Sequence, residues 1–188
     1  MLLPLKITNM MTQSLRNKDK SLPIRVVWVL ISFLFIAGCP PQSVAQKCQT
    51  KAFAIDRDPN GLNVRNQPNS EAEILGTLPL YAEVNVLDHK NNWLLVSPID
   101  PKLQEIDWSG EGYVYASLLG LNTRGYDGNG VRLYAEPDGA SEVVGNVESS
   151  SLVTLVSCSG KWALVRHQSI QGWLKPEDQC EAALTTCS

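Results

Sequence analysis

The chain repeats itself, and that bounds what it can fold into. Sliding the 188-residue sequence by 69 positions aligns 58–96 with 127–165 without a gap. Identical pairs include Asp58/Asp127, Asn60/Asn129, Gly61/Gly130, Pro68/Pro137, Gly76/Gly145, Val84/Val153, Trp93/Trp162, Leu95/Leu164 and Val96/Val165. Conservative pairs such as Ile74/Val143, Leu75/Val144 and Leu78/Val147 fill the spaces between them. A period of this size, present twice, means two small domains in tandem and not a solenoid of many stacked units.

Each copy reads as short strands. Leu62-Asn63-Val64-Arg65 and Val84-Asn85-Val86 alternate apolar and polar residues, the period of a strand with one buried face. Pro68-Asn69-Ser70 and Pro137-Asp138-Gly139 are turns, because proline presets φ while Asn, Asp and Gly tolerate tight geometry. Lys90-Asn91-Asn92 and Ser159-Gly160-Lys161 are hairpin tips leading into Trp93-Leu94-Leu95-Val96 and Trp162-Ala163-Leu164-Val165. Gly112-Tyr113-Val114 and Gly172-Trp173-Leu174 are the last strands of the two copies. Nothing after residue 38 has helical periodicity, so the expected fold class is all-β.

That succession resembles the bacterial SH3 domain, a small β-barrel of cell-envelope proteins and wall hydrolases. The residues carrying the resemblance are Gly61-Leu62-Asn63-Val64-Arg65-Asn66-Gln67-Pro68, Ile74-Leu75-Gly76-Thr77-Leu78, Asn92-Trp93-Leu94-Leu95-Val96 and Gly112-Tyr113-Val114. Copy two departs at Val131-Arg132-Leu133-Tyr134 but keeps the turn, Gly145, Trp162 and Trp173. The resemblance implies two SH3-like barrels in tandem, at 51–120 and 121–188. It reaches no catalytic domain. The short glycine-bearing link at 121–128 would leave the barrels a loosely coupled pair.

The start of the chain is different in kind. Arg16, Lys18, Lys20 and Arg25 precede the apolar run 26–36, and Ile36-Ala37-Gly38-Cys39 follows. Basic, then apolar, then small residues is the order of a secretory signal. The run through Gly38 is 13 residues, against about 20 for a membrane-spanning helix. A cysteine directly after Ala-Gly resembles a bacterial lipoprotein signal. The resemblance implies a signal peptide at 1–38, a Cys39 acylated on its thiol and new N-terminus, and a lipidated tether at 39–50. The protein would then be exported and lipid-anchored to a bacterial membrane. Residues 40–47, fully extended, reach at most ~30 Å, which keeps the barrels near the bilayer.

Removal of 1–38 takes away five basic residues and one acid, leaving 11 basic against 18 acidic, a net charge near −7. Such a surface repels phosphate backbones and anionic headgroups, so nucleic acid is excluded as a partner and the membrane is reached through acyl chains. With Cys39 acylated, four cysteines remain: Cys48, Cys158, Cys180 and Cys187. An even number in an exported chain points to disulfides, and three pairings are possible. The predicted strand ends favour Cys158–Cys180, which leaves Cys48–Cys187 to tie the termini. A metal site would recruit His167 beside Cys158 and Cys180, but no close cysteine pair of the zinc type is present. No metal and no cofactor is expected.

Histidine is limited to His89, by a hairpin tip, and His167, at a strand end, and both read as surface residues. No nucleophile sits in a recognisable catalytic context, so the expectation is a non-enzyme. Binding remains, and its candidates are aromatic: Trp93, Trp108, Tyr113 and Tyr115 in copy one, Tyr134, Trp162 and Trp173 in copy two. Arg65 and Arg132 would add charge-assisted bonds to a carboxylate. Trp93 and Trp162 recur at one position and are followed by apolar residues, which favours a place in the core of so small a barrel over a binding groove. Tyr115, Tyr134 and Trp108 lack a counterpart in the other copy and are the better contact candidates. Copy one also carries nine extra residues in the loop 97–112, where Trp108 serves either recognition or as cover for a barrel end. The favoured reading is a non-catalytic envelope lipoprotein binding peptidoglycan or an envelope protein. One alternative is a structural or assembly subunit docked on another envelope protein. Another is an unrecognised hydrolase or metal protein.

Overall fold

Apolar residues at alternate positions leave each segment one face to bury, and the chain answers with strands. The computed structural model describes residues 47–124, 128–184 and 187, all within one compact unit, Ser43–Ser188. The signal segment, Cys39 and most of the tether lie outside the described residues, among which no helix is long and apolar enough to cross a membrane.

Copy one contributes β1 (Thr50–Ala54), β2 (Leu62–Arg65), β3 (Ile74–Leu78), β4 (Glu83–Lys90), β5 (Trp93–Pro98) and β6 (Gly112–Tyr115). Then comes β7 (Leu119–Thr123), followed by β8 (Val131–Tyr134), β9 (Val143–Val147), β10 (Leu152–Ser159), β11 (Trp162–His167), β12 (Ile170–Leu174) and β13 (Gln179–Cys180). The all-β expectation holds. Val64, Leu78, Val84, Leu94, Val96 and Val114 are fully enclosed in copy one, as are Leu133, Leu155, Ala163, Val165 and Leu174 in copy two. Gly61 and Gly130, equivalent in the repeat, have φ of +82° and +74°, and a Cβ there would lie 2.8 Å from Leu78 O and 2.4 Å from Val147 O. Positive φ and lack of space together fix glycine at both.

The strands form one open ladder, β3-β2-β6-β5-β4-β1-β7-β10-β11-β12-β8-β9, with β13 on β7. Backbone pairing does not close either copy into a complete barrel, and each half curls around its apolar residues instead.

β7 belongs to both copies. It pairs with β1 at Phe53↔Gly120 and Ala54↔Leu119, and with β10 at Leu152↔Asn122, Val153↔Leu121 and Thr154↔Gly120. Those β10 contacts repeat, 69 residues on, the pairing of β1 with β4 at Lys51↔Asn85, Ala52↔Val84 and Phe53↔Glu83. β13 in turn pairs with β7 at Gln179↔Thr123 and Cys180↔Asn122, as β7 pairs with β1. One strand thus finishes the first copy and opens the second. The loosely coupled pair expected from the 121–128 link is therefore corrected: the link begins inside a hydrogen-bonded strand, and the buried apolar residues of both copies form one continuous cluster. Gln179 seals the joint. It is buried, its Oε1 accepts from Thr50 Oγ1 at 2.6 Å, and its Nε2 donates to Lys161 O and Leu174 O at 2.9 and 3.1 Å.

The disulfides correct a second expectation. Cys48 bonds to Cys158 across the joint, and Cys180 bonds to Cys187, in place of Cys158–Cys180 and Cys48–Cys187. The physical reason is the shared strand, which brings the stretch before β1 against the β10–β11 hairpin. Gln49 N donates to Gly160 O at 2.7 Å there. The Cys48–Cys158 bond spans 110 residues and so constrains the unfolded chain strongly. Replacing Cys48 and Cys158 by alanine is expected to lower the unfolding free energy by about 2–5 kcal/mol, in one transition that includes both copies. Removing Cys180–Cys187 should have the smaller effect. Urea unfolding and non-reducing peptide mapping check both points.

The nine-residue insertion folds back on its own copy. Gln104 bonds the backbone of Glu83 and Ile99, and Asp107 Oδ1 accepts from Thr77 N at 3.2 Å. Trp108 is left 6% exposed and lies over Gly76, where a Cβ would meet its Cδ1 at 2.8 Å. Gly145, the equivalent glycine, is covered by Ile170, whose Cγ2 would be 2.6 Å from such a Cβ. Of the two roles open to Trp108, the fold realises the cover. Trp108→Ala should therefore destabilise by about 3–5 kcal/mol, read as a lower urea midpoint.

Candidate functional site

In an antiparallel pair, residues directly opposite share a face. Leu94 and Val96 of β5 are fully buried, so the alternate residues Trp93 and Leu95 face outward. Trp93 stands opposite Tyr115, and Leu95 opposite Tyr113, which also stands opposite Arg65. The outer face of β5, β6 and β2 therefore carries Trp93, Tyr113, Tyr115 and Arg65 together. Trp93 and Tyr115 meet edge to face with ring centroids 5.6 Å apart, and Tyr115 is exposed.

Copy two builds the same face from different residues. Leu164 stands opposite Trp173, and Trp173 opposite Tyr134. Trp162 and Tyr134 meet edge to face at 5.9 Å, and Lys175 Nζ lies 5.0 Å from the Tyr134 ring centroid. The Lys175 pKa is raised above the ordinary lysine value. The hydrogen bond with Tyr134 is the main cause, burial opposes it, and Glu177 and Asp178 add attraction. Its charge, and the cation–ring contact that depends on it, thus persist through neutral and moderately alkaline pH and disappear only as pH rises through that raised value.

The fold gathers most of the predicted contact residues but redistributes their roles. Trp93 and Trp162 are half-buried on the outer faces and outside the enclosed core. Tyr134 is 5% exposed, covered by Trp162 and Lys175. It supports the copy-two face from below, and the expectation of a free contact residue is corrected. Trp108 is likewise buried and apart from both faces. Arg65 donates from Nη1 to Ala72 O at 2.6 Å, so its guanidinium is occupied in holding the β2–β3 connection. Arg132 is exposed on β8, opposite Asn146. Lys175 was missed by sequence reading. It occupies the place of Tyr115 once the insertion is subtracted, but ammonium and phenol share no pattern that repeat matching would register.

One of the two histidines departs from expectation. His167 Nδ1 lies 3.3 Å from Leu152 O and away from the cysteines. His89 reads in sequence as a surface residue, yet its Nδ1 is buried, and the side chain lies against Cys48 and Cys158. A β-bulge is the reason. Pairing shifts between Val86 and Asp88 in β4, which reverses the alternation and turns His89 to the inner side, opposite the buried Leu94.

Open sheet halves, each curled around its own apolar residues and presenting an outward aromatic cluster, define a tandem of small all-β units. The chain belongs to the bacterial SH3 domain family, whose models match residues 60–120 and 127–178. That membership suggests cell-wall binding. No curated protein matches the sequence. Among solved structures the chain is similar to NlpC2 from Trichomonas vaginalis, at 12% identity and TM-score 0.30 over 73% of this chain and 49% of that one. It is similar also to NlpC1 from the same organism, at 14% identity and TM-score 0.30 over 73% and 47%. An NlpC/P60 family protein from Bacillus cereus matches at 17% identity and TM-score 0.26 over 69% and 55%. The chain spans about half the length of these structures.

Proposed function

We propose that this is a non-catalytic envelope lipoprotein that holds peptidoglycan on its two outer aromatic faces. The observation carrying the proposal is the recurrence of one kind of surface: a half-exposed Trp stands at the equivalent position of each copy and meets a Tyr edge to face, although the partners Tyr115 and Tyr134 come from different positions of the repeat. The rings of Trp93, Tyr115 and Trp162 lie outside the enclosed core, whose residues are mainly aliphatic. Flat, rigid aromatics supply contact area with little loss of side-chain entropy, and they suit the apolar faces of sugar rings. Lys175 and Arg132 place positive charge on an otherwise acidic protein, where the carboxylates of wall peptides would pair with it. Because β7 fuses the copies, two weak contacts act as one bivalent grip.

A soluble form starting at Ser43 should be retained by purified cell-wall sacculi at low salt. Trp93→Ala with Tyr115→Ala should weaken retention about tenfold, as loss of one hot-spot cluster typically does, and adding Trp162→Ala should weaken it further. Absence of retention by folded protein contradicts wall binding. The docking reading draws on a different surface, the exposed apolar residues Leu80, Tyr81, Leu103 and Leu184, which border one cleft. In that case crosslinking in intact membranes traps one dominant protein, and sacculi retain nothing.

The sequence before residue 40 supports export and lipid anchoring at Cys39. Several acyl chains anchor stably where one binds only marginally. The protein should therefore resist salt extraction and yield to detergent, and Cys39→Ser should release it or leave its signal uncut. Efficient release of the unmodified protein by salt alone contradicts the anchor.

A further inference from the structure

Cys48, Cys158 and His89 meet where the two copies join. Each offers one ligand atom, and these atoms lie within 4.8 Å of one another. Both cysteines are buried, at 4% and 1% exposure, while His89 is half-buried. The imidazole Nδ1 is closed off from solvent without a hydrogen-bond partner. Such an orphaned polar atom is costly, on the order of 1–3 kcal/mol, and asks for an explanation.

The arrangement follows from the duplication. His89 and Cys158 occupy one position of the repeat, 69 residues apart. Each follows a β-bulge, between Val86 and Asp88 or between Leu155 and Ser157, and each faces inward, opposite Leu94 or Ala163. Where β4 and β10 come together, the two equivalent side chains meet. Cys48 arrives as the third, held by its N–H on Leu87 O at 3.0 Å and by its bridge to Gly160.

We propose that these three residues form a redox-gated site for a divalent borderline metal ion, with Zn²⁺ as the reference case. In the disulfide state the sulfurs carry neither proton nor charge, and the site is shut. An external dithiol opens it by thiol–disulfide exchange: its own thiols become a disulfide, and Cys48 and Cys158 each gain a hydrogen. The metal ion then displaces two protons to solvent and takes two thiolates and the neutral imidazole as ligands. Charge decides the class of ion. Two thiolates neutralise a divalent ion, whereas a monovalent one leaves a net negative charge buried. Size agrees as well, because tetrahedral zinc separates its S and N ligands by about 3.5–3.8 Å, inside the observed limit. Three protein ligands leave a fourth position to water, which the half-exposed side of His89 can admit. The metal would replace the disulfide as the tie between the copies.

The test uses the full chain in detergent carrying Cys39→Ser, Cys180→Ser and Cys187→Ser, so that Cys48 and Cys158 are the remaining thiols. After anaerobic reduction with a phosphine and its removal, Co²⁺ should bind at one per chain with thiolate-to-cobalt charge-transfer absorption. Zn²⁺ should abolish that band. The oxidised protein should bind none, and His89→Gln should weaken binding at least tenfold. A reduced, folded protein without the thiolate band overturns the proposal, as does unchanged affinity in His89→Gln or equal binding by the oxidised form. If the triple variant does not fold, alkylation of the reduced wild-type chain decides. Zn²⁺ should then protect Cys48 and Cys158 while Cys180 and Cys187 react, and equal modification of all four overturns the site.

Discussion

The structure depends on one strand serving two copies. Leu119–Thr123 accepts β1 and β13 along one edge and β10 along the other. A copy of about 60 residues buries only around 60% of the surface its unfolded chain exposes and is marginal alone. Sharing β7 lets each copy lean on the other, so that Leu119 and Leu121, both fully enclosed, serve a common interior. The disulfide between Cys48 and Cys158 and the buried Gln179 then lock a joint that the strand has already made.

That joint sets what the outer surfaces can do. Trp93 and Tyr115 in copy one, and Trp162 and Trp173 in copy two, lie on strands tied through the ladder to β7. Their mutual geometry is held by the sheet and does not depend on a flexible linker. For a ligand made of repeated sugar and peptide units, two fixed contact faces cost less ordering entropy than two tethered ones. The insertion in copy one plays no direct part in this. Its Trp108 replaces Ile170 of copy two as the cover over a glycine, while its Gln104 and Asp107 fasten it down.

Much of this was legible in the sequence. Alternation placed β2 and β4, the Asn-Asn and Gly-Lys tips marked the hairpins leading into β5 and β11, and the offset of 69 announced the duplication. What escaped detection depends on contacts between copies or on a change of register. β1 and β7 stand 69 residues apart but share no identical residue, so the shared strand has no signature. The disulfide partners followed from docking across β7 and not from strand ends within one copy. His89 looked solvated because simple alternation carries it outward, and only the extra residue at Leu87 reverses that. Trp108 and Tyr134 looked free because each lacks a repeat counterpart. Tyr134 in fact sits at the place of Arg65, beneath Lys175, whose chemistry gave no hint of its equivalence to Tyr115.

Native-state hydrogen exchange tests the central claim most directly. If β7 makes the two copies one cooperative unit, the slowest amides of β4 and β5 and those of β10 and β11 exchange through the same opening, with one free energy and one denaturant dependence. Amides of β7 belong to that slowest class. Exchange of one copy's core amides at a markedly lower free energy, while the other copy stays protected, would contradict the account.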